Sequence, residues 1–375
     1  MSEARVNNLS NESNTGGPTI SGISTFSGTN FFVPPVGTTA QRPDNPQKGA
    51  IRFNTDTKHL EYYKGDTLGW TEIEASHDQL NGGYRGLFAG GNTPGLSDVV
   101  DYITISTFGD AIDFGNLTAG KQRMGVTSDS TRLVTGAGYT TTFEIEMDYF
   151  TMSSLGDYAD FGDLTTARNR LTAFADSTRG VWAGGNPSTN VMDYVTIQST
   201  GTAKDFGDLT VAGRQSVGGA SSSTRGLIFG GLSGSDPYTY HNIIDFVTIA
   251  TTGNAQDFGD LTTATLMAGS ACANSTRALY CGGYSTPGNP INNIEYVTIA
   301  TKGNSIDFGN GTLARKDGAS LADKTRGITA GGSNPTLQSR IDCMEIATLG
   351  DALDFGDLSV TRTSVSGSSN GHGGL

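Results

Sequence analysis

One pattern recurs six times between residue 85 and residue 375, and it restricts the fold more than any other property of the chain. A segment of the form Arg-Gly-apolar-apolar-x-Gly-Gly begins at Arg85, Arg132, Arg179, Arg225, Arg277 and Arg326. A second segment, of the form Asp/Glu-Tyr-Val-Thr-Ile, begins at Asp101, Asp148, Asp193, Asp245, Glu295 and Asp342. Twelve residues after each of these acids comes Asp-Phe-Gly, at Asp113, Asp160, Asp205, Asp257, Asp307 and Asp354. The period is 45 to 52 residues.

Each unit reads as four short strands. RGVWAGG (179–185) mixes apolar with small residues and stops on Gly-Gly, and DYVTI (193–197) alternates polar with β-branched or aromatic residues, as a half-buried strand does. A turn glycine follows in register in every unit, then Ala-x-Asp-Phe-Gly, then a segment such as RNRLTAFA (168–175). The 53 glycines suit tight turns, because glycine takes positive φ without steric cost. A unit of this size cannot bury both faces of its sheet alone, whereas radial stacking buries them and leaves only short edges. The expectation is an all-β fold, a six-bladed β-propeller over residues 81–375. The array opens on a second strand, at Arg85, and ends on an extra first strand, TRTSVSGSSNG (361–371). The N- and C-terminal strands of the array are therefore expected to share one blade and close the propeller.

The unit resembles the kelch repeat, with its Arg-containing first strand, its Gly-Gly ending and the aromatic that follows. It departs from kelch in spacing, since Tyr102 and its counterparts precede the DFG phenylalanine by twelve residues rather than about six. The last unit departs further, with Cys343 where the others carry Tyr or Phe. The resemblance bears on architecture and not on a kelch-type partner.

Several function classes are disfavoured by composition. The formal charge is −13 and no cluster of Lys and Arg is present, so no nucleic-acid partner is expected. No apolar run approaches the ~20 residues of a membrane span, and the first residues lack the apolar core of a secretory signal. The histidines (His59, His77, His241, His372) have no metal-ligand spacing, and neither a metal nor a cofactor is expected. Cys272 and Cys281 flank one expected hairpin turn, where a cross-strand disulfide is conceivable and two reduced, buried thiols are favoured.

Three motifs tempt. Asp-Phe-Gly suggests a kinase, but a kinase needs it once, with a strand lysine and an His-Arg-Asp loop that are missing here. Six copies make it a structural element. The acids after it (Asp163, Asp208, Asp260, Asp357, with Asn116 and Asn310 in the same place) suggest calcium, yet a propeller spreads them too far apart to share an ion. The repeated arginines, Arg85 to Arg326, suggest an anion site or a sialidase-like enzyme. Equal spacing argues instead that each pairs with an acid or carbonyl in its own or the adjacent blade. No enzymatic activity is expected.

Only one connection varies. From Gly-Gly to the next acid it holds 9, 9, 7, 13, 11 and 9 residues, and all six copies emerge on one face. Constancy of scaffold with variation confined to one face suits a binding surface. The longest loops, LSGSDPYTYHNII (232–244) and YSTPGNPINNI (284–294), offer Tyr238, Tyr240, His241, Tyr284, Asn289 and Asn292 as binding candidates. Aromatics beside amides suit a sugar ring. Unconstrained drift of surface loops is the equal alternative.

Residues 1–48 are polar and read as an extended N-terminal attachment arm. Residues 49–80 read as a small β meander that gains from oligomerisation or docking. GTTAQRPDNPQKGAIRFNTDTKHLEYYKGDTLGW (37–70) resembles a module near the N-termini of tailed-phage fibre and virion proteins. The DFGDLT/STRG units, with the ending SNGHGGL, resemble virion proteins of phages that infect marine cyanobacteria. Together these resemblances imply a non-enzymatic virion structural protein, such as a tail fibre or surface appendage. It would be assembled in the host cytoplasm and sit in the particle as a homo-oligomer. Other virion proteins would bind through residues 1–80, and the propeller would be displayed toward a host-surface glycan or receptor. The rivals are a purely architectural neck, baseplate or tail component and, from another class, a polysaccharide-degrading propeller enzyme.

Overall fold

A computed structural model describes residues 34–57, 59–67, 69–73, 84–187, 189–235, 237–262, 265–266, 269–285 and 289–375. Residues 1–33, most of the expected arm, and residues 74–83 lie outside this set. The protein is all-β, and the chain divides into two compact units, Met1–Ser76 and His77–Leu375.

In the first unit the strands Ile51–Asn54, His59–Tyr63 and Trp70–Ile73 form the antiparallel meander that their alternation predicts. Val36–Gly37 adds a strand parallel to Ile51–Asn54, so the sheet begins inside the segment read as an arm. Successive side chains alternate between faces. Arg52, Asn54 and Glu61 share the buried face, where the Glu61 carboxylate accepts hydrogen bonds from Arg42 at 2.5 Å and Asn54 at 3.2 Å. The Arg42 bond is the main force holding that carboxyl below its ordinary pKa. The other face is apolar and open, with Val36, Ile51 and Leu60 at 58, 50 and 38 % exposure.

Among its described residues the second unit holds six four-stranded antiparallel sheets. The first sheet runs Ser366–Ser369, Arg85–Ala89, Val99–Thr104, Ile112–Asn116. The second runs Gly125–Ser128, Arg132–Tyr139, Phe143–Thr151, Ala159–Asp163. The third is Thr172–Ala175, Arg179–Ala183, Val191–Thr196, Lys204–Asp208, and the fourth Gly218–Ser221, Arg225–Phe229, Ile243–Thr248, Gln256–Asp260. The fifth is Ser270–Ala273, Arg277–Cys281, Asn293–Thr298, Ile306–Asn310, and the sixth Ala319–Ala322, Arg326–Ala330, Arg340–Glu345, Leu353–Asp357. The C-terminal strand thus pairs with the first strand of the array, Ser366 opposite Ala89 and Ser369 opposite Gly86. The first strand of each sheet touches that of the next, second to sixth, then first, and then back to the second.

Neighbouring sheets are joined by the repeat residues themselves. Arg85 donates to the carbonyl of Met152 in the following sheet, Arg132 to Ile197, Arg179 to Ile249, Arg225 to Ile299, Arg277 to Ile346 and Arg326 to Ile105. The partners are carbonyls of the adjacent sheet, and Arg326 also donates to Glu345 of its own sheet at 3.1 Å. Most of these guanidinium groups also lie over an aromatic ring of their own sheet, as Arg132 over Tyr149 at 4.2 Å. Apolar clusters likewise span two sheets, as Leu87 and Phe114 with Val126 and Phe150.

A second set of buried groups, unremarked in the repeat, fills the space between sheets. Thr165 Oγ1 donates to Asp193 at 2.6 Å, Thr210 to Asp245, Thr312 to Asp342 and Ser359 to Asp101. The same acids meet buried cations: Arg168–Asp193 at 2.9 Å, Arg214–Asp245 at 3.3 Å, Arg315–Asp342 at 2.8 Å, Arg362–Asp101 at 2.7 Å and Lys121–Asp148 at 3.4 Å. In the fifth sheet Glu295 reaches instead to the hydroxyls of Thr262 and Ser305. A bulge just before each acid, as between Met192 and Asp193, aims it inward. The DFG aspartates opposite them (Asp113, Asp160, Asp205, Asp257, Asp307, Asp354) all lie exposed, and Asp354 pairs with Arg340 at 3.1 Å.

The three cysteines are free, buried thiols. Cys281 faces Ser270 across the ladder and Cys272 faces Leu279, and burial pushes Cys343 up to about 12.

Candidate functional site

The first strands enter their sheets through residues whose backbone is left-handed. Arg123, Arg170, Ser216, Asp317 and Ser364 each stand two positions before a first strand, with φ between 55° and 57°. Their backbones bond one to the next: Ser216 N–H donates to Arg170 at 2.7 Å, Arg170 to Arg123 at 3.0 Å, Arg123 to Ser364 at 3.1 Å, and Ser364 to Asp317 at 2.7 Å. By count the remaining unit carries Ala268 here, outside the described residues.

These five residues line one cavity with about 670 Å³ of empty space, part of it open to solvent. Small residues such as Gly218, Gly269 and Gly318 form its walls, together with Val126 and Val217. Asp317 is nearly buried, and burial raises its carboxyl pKa, with Arg123, Lys316 and Arg170 pulling the other way. Burial lowers the pKa of Arg170, and the positive charge of Arg123 lowers it further. The Arg170 Nε is buried without a partner, while Nη1 donates to Gln215 at 3.3 Å.

The variable loops leave their second strands at these entry ends, because antiparallel order returns every second strand to the start of the first. Backbone bonds fix them there: Gly91 N–H donates to Lys121, Gly185 to Arg214, Gly283 to Arg315 and Gly332 to Arg362. The loop of the fourth sheet folds as a ribbon, Leu232–Ser233 against Thr239–Tyr240, and that of the fifth as Tyr284–Ser285 against Asn289–Pro290.

The six loop candidates do not converge as a set. Tyr238 is 40 % exposed and acts on the Arg170 guanidinium at the cavity, raising that group's pKa against the effect of burial. Tyr284 is half-buried, with Lys316 Nζ 4.8 Å from its ring centre and Asp317 next in sequence. Tyr240 is half-buried within its ribbon, and Asn289 is exposed. His241 and Asn292 serve the fold: His241 Nε2 lies 2.8 Å from Ser233 Oγ, and Asn292 Nδ2 donates to Gly311 at 3.3 Å. Burial lowers the His241 imidazole pKa, with help from Arg214.

At the exit ends of the same strands the C-terminal residues bridge several sheets. Gly373 N–H donates to Ala273 at 2.8 Å, and His372 Nε2 meets the Ser128 carbonyl at 2.7 Å. A Cβ on Gly374 would fall 1.9 Å from the Ala175 carbonyl oxygen, so only glycine fits. Among the described residues no cluster of three or more His, Cys, Asp or Glu could hold a metal ion.

The cavity residues escape a reading that seeks what repeats. Their signal is the reverse: one position, two before each first strand, runs Arg, Arg, Ser, Ala, Asp, Ser, whereas the position two before it is Lys or Arg in five of the six units. No protein-family model matches the chain, and no curated protein matches it.

Proposed function

We propose that the six sheets are blades of a kelch-like propeller. In this reading the protein is a non-enzymatic phage virion component, attached through its first eighty residues and presenting the entry-end face to a host surface. The cyclic contacts among first strands, and the pairing of Ser366–Ser369 with Gly86–Ala89, support the closed arrangement. The function rests on one asymmetry. The open cavity and the connections of variable length share one end of the strands, while residues 371–375 cover the other. A scaffold held constant by seams, with its variation gathered around an opening, is suited to recognition. The open apolar face at Val36, Ile51 and Leu60 supports a docking role for the first unit.

The test is particle adsorption after the double change Tyr238→Ala with Tyr240→Ala. Truncating aromatic anchors typically costs about 2 kcal/mol or more. Adsorption is expected to fall by about tenfold or more, taking ~1.4 kcal/mol per decade. Unchanged adsorption, and the same result after shortening loop 284–294, would transfer support to a purely architectural role.

A further inference from the structure

The left-handed positions carry side chains at a conformational cost. Values of φ near 55° suit glycine, and other residues are strained there. Yet Arg123, Arg170, Ser216, Asp317 and Ser364 occupy them, in a chain whose other positive-φ positions among the described residues are all glycine except Ala137. Strain kept where a glycine would relieve it points to work done by the side chain.

The charges around the cavity are also unlike those elsewhere in the unit. Arg85 and its counterparts are spent on carbonyls, and Arg168 and its counterparts on acids. Arg123 makes no side-chain hydrogen bond or ion pair among the described residues, and Arg170 has no ion pair there, its Nη1 donating to Gln215 at 3.3 Å. Asp317 lines the same space with no hydrogen bond to its carboxylate among the described residues. Among the lining residues two guanidinium groups and one carboxylate leave one positive charge in excess, while Lys316, which also acts on Asp317, has its Nζ over the Tyr284 ring. A dianion would meet Asp317. A monoanion that also carries hydroxyl donors would satisfy all three groups.

We propose that this cavity takes the carboxylate-bearing sugar of an acidic glycan, an inference that rests on the entry-end face being the binding face. Arg123 and Arg170 receive the carboxylate, since guanidinium forks match its planar geometry. Asp317 accepts a ring hydroxyl, and Tyr238 borders the ring from the loop above.

The experiment measures binding of trigalacturonate, and of its carboxyl-reduced counterpart, to the full-length protein by calorimetry. Trigalacturonate is expected to bind at least about tenfold more tightly than the reduced sugar, and to lose that advantage with Arg170→Gln. Arg123→Gly is the safeguard against misfolding, because its backbone prefers glycine, and it is expected to fold and to lose the same advantage. Equal binding of the two sugars, or wild-type affinity in Arg123→Gly, overturns the inference. If that happens while Tyr238→Ala with Tyr240→Ala still abolishes adsorption, the face is a binding face for another ligand. If adsorption is also unchanged, both readings fall.

Discussion

A Cβ on Gly162 would stand 2.5 Å from the carbonyl oxygen of Gly201 in the following sheet, and the N–H of Gly201 donates to the carbonyl of Phe161 at 2.7 Å. The same approach joins Gly115 with Gly156, Gly207 with Gly253, Gly259 with Gly303, Gly309 with Gly350, and Gly356 with Gly109. The glycine of Asp-Phe-Gly is therefore the place where two sheets touch through their backbones.

Gly162 and Gly201 share a positive φ (137° and 148°), but only Gly162 has a neighbour where its Cβ would go. Gly201→Ala is expected to cost about 1–2 kcal/mol from the backbone alone. Gly162→Ala adds the clash, worth about a further 1–3 kcal/mol. Denaturant unfolding of the two variants measures the difference. Equal losses would mean that the seam yields freely.

Arg168 and Asp193 are both fully buried, 2.9 Å apart. Arg168→Met leaves the Asp193 charge without its counter-ion and is expected to destabilise by about 3–5 kcal/mol. Replacing both partners, Arg168→Met with Asp193→Leu, is expected to recover part of that loss. A single variant as stable as wild type would show that Thr165 suffices to hold the acid.

Deleting residues 371–375 removes the exit-end cover and leaves the strand Ser366–Ser369 in place. The expected loss is about 1–3 kcal/mol, from a few hydrogen bonds of ~1 kcal/mol each. Deleting 361–375 also bares the edge of Arg85–Ala89 and is expected to give aggregates or a fold several kcal/mol weaker, on edge-strand grounds. Matching melting curves for the full chain and the longer deletion would sink the closure.

The exit-end cover should weaken in acid. His372 Nδ1 accepts from Gly374 N–H at 3.1 Å, so Nε2 carries the proton toward Ser128. Burial is the main cause of an imidazole pKa below the ordinary 6.5, although Asp129 and Asp176 act in the opposite sense. The unfolded chain then takes up the proton first, and stability falls as pH drops below 6.5. Unfolding titrations of wild type and His372→Gln should converge toward acid pH. A gap that stays constant down to pH ~5 would contradict a neutral His372, judged against the ordinary imidazole value.

Asp317 behaves with the opposite sign. Its carboxyl pKa is raised chiefly by burial, so above the ordinary 3.8 the unfolded state ionises more readily than the folded one. Stability therefore falls as pH rises through that window, and Asp317→Asn is expected to raise the melting temperature at pH 7. The gain should vanish near pH 3, where wild type is protonated in both states by the ordinary carboxylate pKa. A variant less stable at pH 7 would mean that the charge is held by the fold rather than borne at a cost.

The strands were legible because their signals are local. Alternation in DYVTI and paired glycines at 184–185 reflect neighbours a few residues apart, the recurrence of the arginines repeats that local signal once per unit, and the sheets formed where these placed them. The partner type of Arg85 to Arg326 was bounded to acids or carbonyls, and the structure supplied carbonyls of the adjacent sheet, with Glu345 as a second partner of Arg326. Val36–Gly37 escaped because a two-residue strand has no period.

The sequence by itself determined six units of four strands and the order in which they follow. Only the tertiary structure decided which charges are buried. Asp193 and Asp205 stand opposite each other in one ladder, yet a bulge turns Asp193 onto Arg168 and leaves Asp205 in solvent. Arg168 and Arg170 lie two residues apart, and one is locked to an acid while the other faces the cavity. Residue type and spacing cannot separate such pairs. Their environments are set by packing between sheets some fifty residues apart in the chain, on the order of one repeat, and burial then fixes what each charge must do.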